Sequence, residues 1–251
     1  MHALSYALPL AQRLKARLTM LHVNVPEPVV AGATPVQTAE KWAHAQPLVE
    51  QYSDVEIGYD EETGENPADI IVELSKQNNY DLIVMGTKGS GGLVSGSFGG
   101  ITVAVIQGCE TPVLAIPDCA TYQPIRHIAY ATDFNNESFS VVKRLIAFAK
   151  LLDARLTCIH VRGENDYWDR VKRMYYEQLY SLGQVTDVLD FAILRGDNVL
   201  RAIQDFVRNN DVDVLSMLNR RRDLLDTLYG KSLTREAVLH CRVPLLAFHN
   251  H

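Results

Sequence analysis

The sequence predicts a doubly wound α/β protein built as two tandem parallel-sheet modules, and three observations carry that prediction. The chain repeats itself: residues 4–23 lie over residues 142–161 without a gap and share the string A-R-L-T-x-x-H-V. Such self-similarity is the signature of duplication. Within each copy, apolar residues at helical spacing alternate with short strand-like runs, the pattern of strand–helix–strand units. The runs DLIVMG (81–86) and DVLSML (213–218) are almost wholly apolar after their first Asp, Ser216 apart, as strands covered on both faces of a parallel sheet tend to be.

In chain order, Leu4, Ala7, Leu8, Ala11 and Leu14 define a helix, and residues 18–23 a strand. In the second copy the same unit is preceded by RHIAYATDF (126–134), which predicts a strand ending in Thr132, Asp133 and Asn135, residues suited to a helix cap. Polar helices are expected over residues 39–52 and 166–182, and strands over 55–59 and 191–195. The next helices open on Gly-Glu-Asn-Pro (64–67) and Gly-Asp-Asn (196–198), good helix-start chemistry. TPVLAIP (111–117) and VPLLAFH (243–249) supply the terminal strands, with Cys109 aligned to Cys241.

The expected modules span residues 1–118 and 125–251, joined by a short linker at 117–124 that Pro117 and Pro124 stiffen. So brief a connection predicts that the halves pack against each other as a pseudo-two-fold pair. One element has no counterpart. Met1 aligns with Phe139, so nothing in the first copy matches the strand at 126–134. That strand would sit inside the sheet. Either the chain is an amino-terminally shortened form, or another segment fills the gap.

The 251 residues carry 24 basic and 30 acidic side chains, a net charge of −6, which removes the broad basic footprint of a nucleic-acid binder. No apolar run approaches the roughly 20 residues of a membrane span; the expected location is the cytoplasm. The four cysteines, Cys109, Cys119, Cys158 and Cys241, never fall at Cys-x-x-Cys spacing and read as reduced, partly buried thiols.

The segment that carries chemistry is Gly86-Thr-Lys-Gly89, nine residues, then Gly99-Gly100-Ile101-Thr102. It follows an apolar strand and leads into a helix expected at 101–107. Glycines let backbone amides approach a phosphate, and a helix N-terminus favours an anion. The alternative is a flexible Gly/Ser surface loop. With DLIVMGTKG and the terminal PVLAIP strand, this spacing resembles the universal stress protein family, whose signature is G-x-x-G, nine residues, then G followed by Ser or Thr. The first copy matches at Gly86, Gly89 and Gly99 but has Gly100 at the hydroxyl position. The resemblance covers nearly the whole chain and implies a Rossmann-like, adenine nucleotide alpha hydrolase-like fold.

It further implies a role in stress tolerance, ATP or AMP as ligand with magnesium accompanying ATP, and pairing of homodimers through the terminal strands. In nucleotide-binding members the base and ribose meet an Asp ending the first strand, a Val ending the second, and the residue before the first glycine. Here Val23 and Met85 match in the first copy, which lacks the Asp-bearing strand. In the second copy Thr132, Asp133, Val161 and Met217 match, but Leu218, Asn219 and Arg220-Arg221-Arg222 replace the glycines. Gly230, Lys231 and Ser232 are the remnant, Ser232 aligning with Gly100. Binding is therefore expected mainly in the first module at Val23, Met85, Gly86, Gly89, Gly99, Gly100, Ile101 and Thr102. The arginines could hold phosphate bidentately, or face solvent.

His22 and His160, beside Val23 and Val161, are expected to be structural, because no nucleophile with an orienting partner accompanies them. Asp60, Glu61, Glu62 and Glu65 read as a solvated surface, His249-Asn250-His251 as a loose tail, and Trp168, Val171, Tyr175 and Leu179 as a core-facing stripe. No Walker lysine, catalytic base or magnesium carboxylate pair is visible, which argues against an enzyme and leaves weak ATP hydrolysis as a third reading. The competing function is an interaction protein that uses the paired fold without a ligand.

Overall fold

The computed structural model describes residues 1–26, 42–87, 100–134, 136–162, 177, 187–219 and 242–249. The first half runs α1 (His2–Leu14), β1 (Leu18–Asn24), α2 (Gln46–Val49) with a 3-10 turn (Glu50–Tyr52), β2 (Ile57–Thr63), α3 (Pro67–Asn78), β3 (Ile83–Gly86), α4 (Gly100–Gly108) and β4 (Val113–Ile116). The second runs β5 (His127–Ala131), α5 (Asn136–Leu152), β6 (Arg155–Arg162), β7 (Leu189–Arg195), α6 (Val199–Asn209), β8 (Val214–Asn219) and β9 (Leu245–His249).

The repeat is written into the helix ends. Asn66 and Asn198 cap α3 and α6, their side chains accepting from the amides of Ala68 (3.1 Å) and Arg201 (2.9 Å), and Pro67 takes the first turn of α3. Lys15 and Asp153, equivalent in the repeat, follow α1 and α5 with φ of 53° and 57°; Asn79 and Asp211, also equivalent, both have φ of 50°. Side chains other than glycine thus hold a left-handed turn at matching places.

The sheets depart from that symmetry. Seven strands form one sheet in the order β3-β4-β9-β8-β5-β6-β7, while β1 and β2 form a separate parallel pair. In the second half β5 lies between β6 and β8, parallel to both, with Ala131 opposite Ile159 and Met217. Among the described residues of the first half no strand lies between β1 and β3, and the sheet divides there. The sequence predicts a fully buried strand at 81–86; β3 is instead half-buried along its length, whereas β8 is buried at five of six positions. Among the described residues β3 has a partner on one side only.

The halves join through β4 and β9, which pair antiparallel with Leu114 opposite Leu246, Val113 opposite Ala247 and Ala115 opposite Leu245. Leu114 and Leu246 are equivalent in the repeat, and so are Val113 and Leu245, and Ala115 and Ala247. The register is therefore isologous, centred on the leucine pair. β4 lies between β3 and β9, and β9 between β4 and β8. This corrects the expectation of terminal-strand pairing between copies: that pairing is made within the chain and leaves neither strand a free edge.

Two apolar clusters lie on the two faces of the large sheet. One gathers Tyr6 and Leu10 of α1 with Leu145 and Ile146 of α5 over Leu114, Ile128, Tyr130 and Leu246; the other gathers Val105 of α4 and Ile203 of α6 over Ala129, Leu215 and Leu245. Alternate residues of β5 feed opposite clusters, the period-two pattern of a strand covered on both sides.

Several expectations shift. The strands expected at 55–59 and 191–195 run Ile57–Thr63 and Leu189–Arg195. Asp60, Glu61 and Glu62 lie on β2, where the Glu61 carboxylate accepts from the side-chain NH2 of Asn24. His249 is no loose tail: it ends β9, buried, with neither ring nitrogen hydrogen-bonded among the described residues. Cys109 and Cys158 are buried thiols and Cys119 an exposed one; burial pushes the Cys158 thiol up, so it stays protonated. The stripe from Trp168 to Leu179, the arginines 220–222, Cys241, Asn250 and His251 lie outside the described residues. Among the described residues no helix is long and apolar enough to cross a membrane.

Candidate functional site

In an open parallel sheet, ligands sit beyond the carboxyl ends of the strands. In the first half that edge is made by β1, β3 and the start of α4. β3 ends at Gly86, and α4 begins at Gly100, as the spacing predicts. Thr102 is buried, and its hydroxyl donates to the Gly86 carbonyl at 2.8 Å. The residue expected to face a phosphate therefore clamps the helix to the strand end, leaving its oxygen's lone pairs as acceptors. The Thr87 amide also turns inward, donating to the Ile116 carbonyl at 3.0 Å. Ile101 is 44% exposed. Gly89 and Gly99 lie outside the described residues.

Val23 and Met85, the expected base and ribose contacts, are half-buried on β1 and β3, strands of two different sheets. Val23 pairs with Glu62, and Met85 with Ala115. Gly86 and Gly100 thus lie at the end of β3 and the start of α4, while Val23 and Met85 stand on strands of two different sheets. His22 packs edge-on to Trp42, with ring centres 6.2 Å apart, and Trp42 in turn meets Tyr59.

The second half has the converse arrangement. β6, β5 and β8 lie side by side, so Val161, Thr132, Asp133 and Met217 gather at one edge. Thr132 and Met217 are buried, Val161 is half-buried and Asp133 is exposed. The Thr132 hydroxyl accepts from the Phe134 amide at 2.9 Å, and the Asp133 carboxylate accepts from the Ser138 hydroxyl at 3.3 Å. His160 Nδ1 lies 2.9 Å from the Thr132 carbonyl. Ser232 and the arginine run lie outside the described residues.

Phe134 escaped the sequence reading. Its φ of 57° turns the chain back after Asp133, and its buried ring packs against His160 (5.5 Å between centres) and Phe191 (5.9 Å). The signal available was an aromatic residue directly after Thr-Asp. Asp213 was missed as well: its carboxylate accepts from the amides of Arg126 (2.7 Å) and His127 (2.9 Å), fixing the start of β5. The signal was the Asp shared by DLIVMG and DVLSML. At the same end of β5, buried His127 has Nδ1 2.9 Å from the Asn210 carbonyl and Nε2 2.9 Å from the Thr157 hydroxyl. The Arg155 guanidinium lies 2.9 Å from the same Nδ1 and donates to the Asn210 carbonyl at 3.1 Å, so the ring sits among the three groups with both nitrogens engaged. Burial, and then the nearby Arg155 guanidinium, pull its pKa down against the raising effect of the Asn210 carbonyl.

Among solved structures, the chain is similar to a universal stress protein from Archaeoglobus fulgidus, at 16% identity and a TM-score of 0.70 over 99% of this chain and 91% of that one. A functionally unknown protein from Pseudomonas aeruginosa matches at 12% identity and a TM-score of 0.62, over 96% and 95%. Identities this low speak to the fold alone. No curated protein matches the chain. The family model described as "Universal stress protein family" matches twice, over residues 1–117 and 124–249. Matched across both of its repeated halves, the chain belongs to the universal stress protein family.

Proposed function

We propose that this stress-response protein binds an adenine nucleotide, ATP or AMP, through its first module, in the cytoplasm, and signals by binding rather than by turnover. The observation that carries the reading is the junction of β3 and α4, where Gly86 ends the strand, Gly100 opens the helix, and Thr102 ties one to the other at 2.8 Å. Backbone without Cβ atoms and a helix N-terminus suit a polyphosphate. The phosphate end fits such a ligand; the base wall, divided between β1 and β3, would grip adenine less firmly. Among the described residues no cluster of three or more His, Cys, Asp or Glu could hold a metal, so magnesium would enter on the phosphates of ATP. The second module keeps the base wall but engages Asp133 with Ser138.

The test is calorimetric titration of ATP and AMP, with and without magnesium, into the chain and into Gly89→Arg and Asp133→Ala. Nucleotide binding weakened at least about tenfold by the first substitution and unchanged by the second is expected, since breaking a charge-assisted hydrogen bond from backbone to phosphate costs more than about 1.4 kcal/mol. No binding at millimolar nucleotide overturns the reading. A second reading, an interaction protein that uses the fold without nucleotide, is favoured by the divided sheet of the first module.

A further inference from the structure

Charge is unevenly shared between the two halves. Residues 1–118 hold fourteen acidic and six basic side chains, whereas residues 125–251 hold sixteen acidic and eighteen basic. The second module is therefore the one whose field attracts an anion. Two of its arginines end neighbouring strands: Arg162 closes β6 and Arg195 closes β7, and they are register partners in a parallel pair. Partners in such a pair share a face and stand about 4.8 Å apart. Arg195 is exposed and makes no ion pair among the described residues.

Like charges side by side on adjacent strands repel, and the fold does not require them there. In the first module the repeat-equivalent partners are Asn24 and Thr63, both uncharged. The ends concerned are carboxyl ends, where open parallel sheets take ligands. Arg162 follows Val161 directly, so the pair adjoins the edge where Thr132, Asp133 and Val161 gather. On the same face His160 precedes Arg162 by two residues and Phe191 precedes Arg195 by four, and the buried Phe134 ring packs on both rings. These rings make an apolar border of low dielectric, beside which charge-assisted bonds are stronger than in open water.

We propose that the carboxyl ends of β6 and β7 form an anion site of the second module, in which Arg162 and Arg195 jointly take one phosphate group. A guanidinium offers its donors in a planar fork that matches the oxygens of a phosphate, and two guanidinium groups match a dianion in charge. The anion also relieves the repulsion that the pair otherwise carries. The phosphate is either free or borne by an organic molecule, and the chemistry that recognises it is the same. The junction of Gly86 and Gly100 takes no part, so the site is independent of nucleotide binding in the first module.

The test is calorimetric titration of inorganic phosphate and of AMP, at low ionic strength, into the full chain carrying Gly89→Arg, which sets the first module's contribution aside. Saturable phosphate binding is expected, weakened about tenfold or more by Arg162→Gln and by Arg195→Gln. Lys150→Gln, at an exposed position in the last turn of α5, should leave it unchanged. In phosphate-free buffer the urea midpoint of either arginine variant should be unchanged or higher, because the repulsion is gone, and this shows that the variants fold. AMP binding more tightly than phosphate, and lost in the same two variants, marks the phosphate as one borne by a larger molecule; phosphate bound alone marks a free anion. The proposal is overturned if neither probe binds saturably at millimolar concentration or if both arginine variants bind as the parent does. Equal weakening by Lys150→Gln overturns it too, since the attraction is then a diffuse field.

Discussion

ARLTMLHV and ARLTCIHV are nearly one string, yet β1 and β6, which they form, live in different surroundings. Every residue of β1 is half-exposed, whereas Leu156, Cys158 and Ile159 of β6 are buried to within 1%. β6 has β5 and β7 on its flanks; among the described residues β1 has only β2. A strand's burial is therefore conferred by its neighbours, and an open position in a sheet exposes the strands on either side of it.

The largest expected effect tests that comparison directly. Leu18 and Leu156 are repeat equivalents. Leu156→Ala should cost about 2–5 kcal/mol by urea unfolding, while Leu18→Ala, at a half-exposed site, should cost about 1 kcal/mol or less. Equal losses would mean that β1 is as well packed as β6, and the comparison would break.

A smaller, matched effect is expected at the caps. Asn66→Ala and Asn198→Ala should each lower stability by about 1 kcal/mol, measured the same way, because an asparagine side chain caps the helix in both halves. A clear inequality would place the difference between the modules in their local structure and not only in their sheets.

The smallest effect is acid sensitivity at His127, in the second half. Its folded pKa lies below the ordinary 6.5, first because of burial. The neutral ring's contribution is complete above pH 6.5 and is lost as pH falls through the depressed folded value. The urea midpoint should fall over that range, and less so in His127→Gln. An unchanged slope would show that the ring is not held neutral.

Much of this was legible because it is local or periodic. Asn66 and Asn198 announced the caps, and the repeat announced the order of elements. How the strands group into sheets was not legible, because strand pairing is a long-range choice: β1 and β3 could have closed on each other, and instead they part. The division of Val23 from Met85 follows from that choice. Side-chain competition was hidden too. A threonine after a glycine pair reads as a ligand, but Thr102 bonds the Gly86 carbonyl sixteen residues back, a partner that no spacing rule names.

The seam at Leu114 and Leu246 has one more consequence. Between separate subunits, a symmetric strand contact comes apart on dilution, and every substitution falls on both sides of it. Here residues 117–124 tether the two sides, so the partner strand is always at high effective concentration. The seam endures however scarce the protein becomes. Fusion also lets each half change alone: one could divide its sheet and the other replace its glycines, provided the leucines at the centre still met.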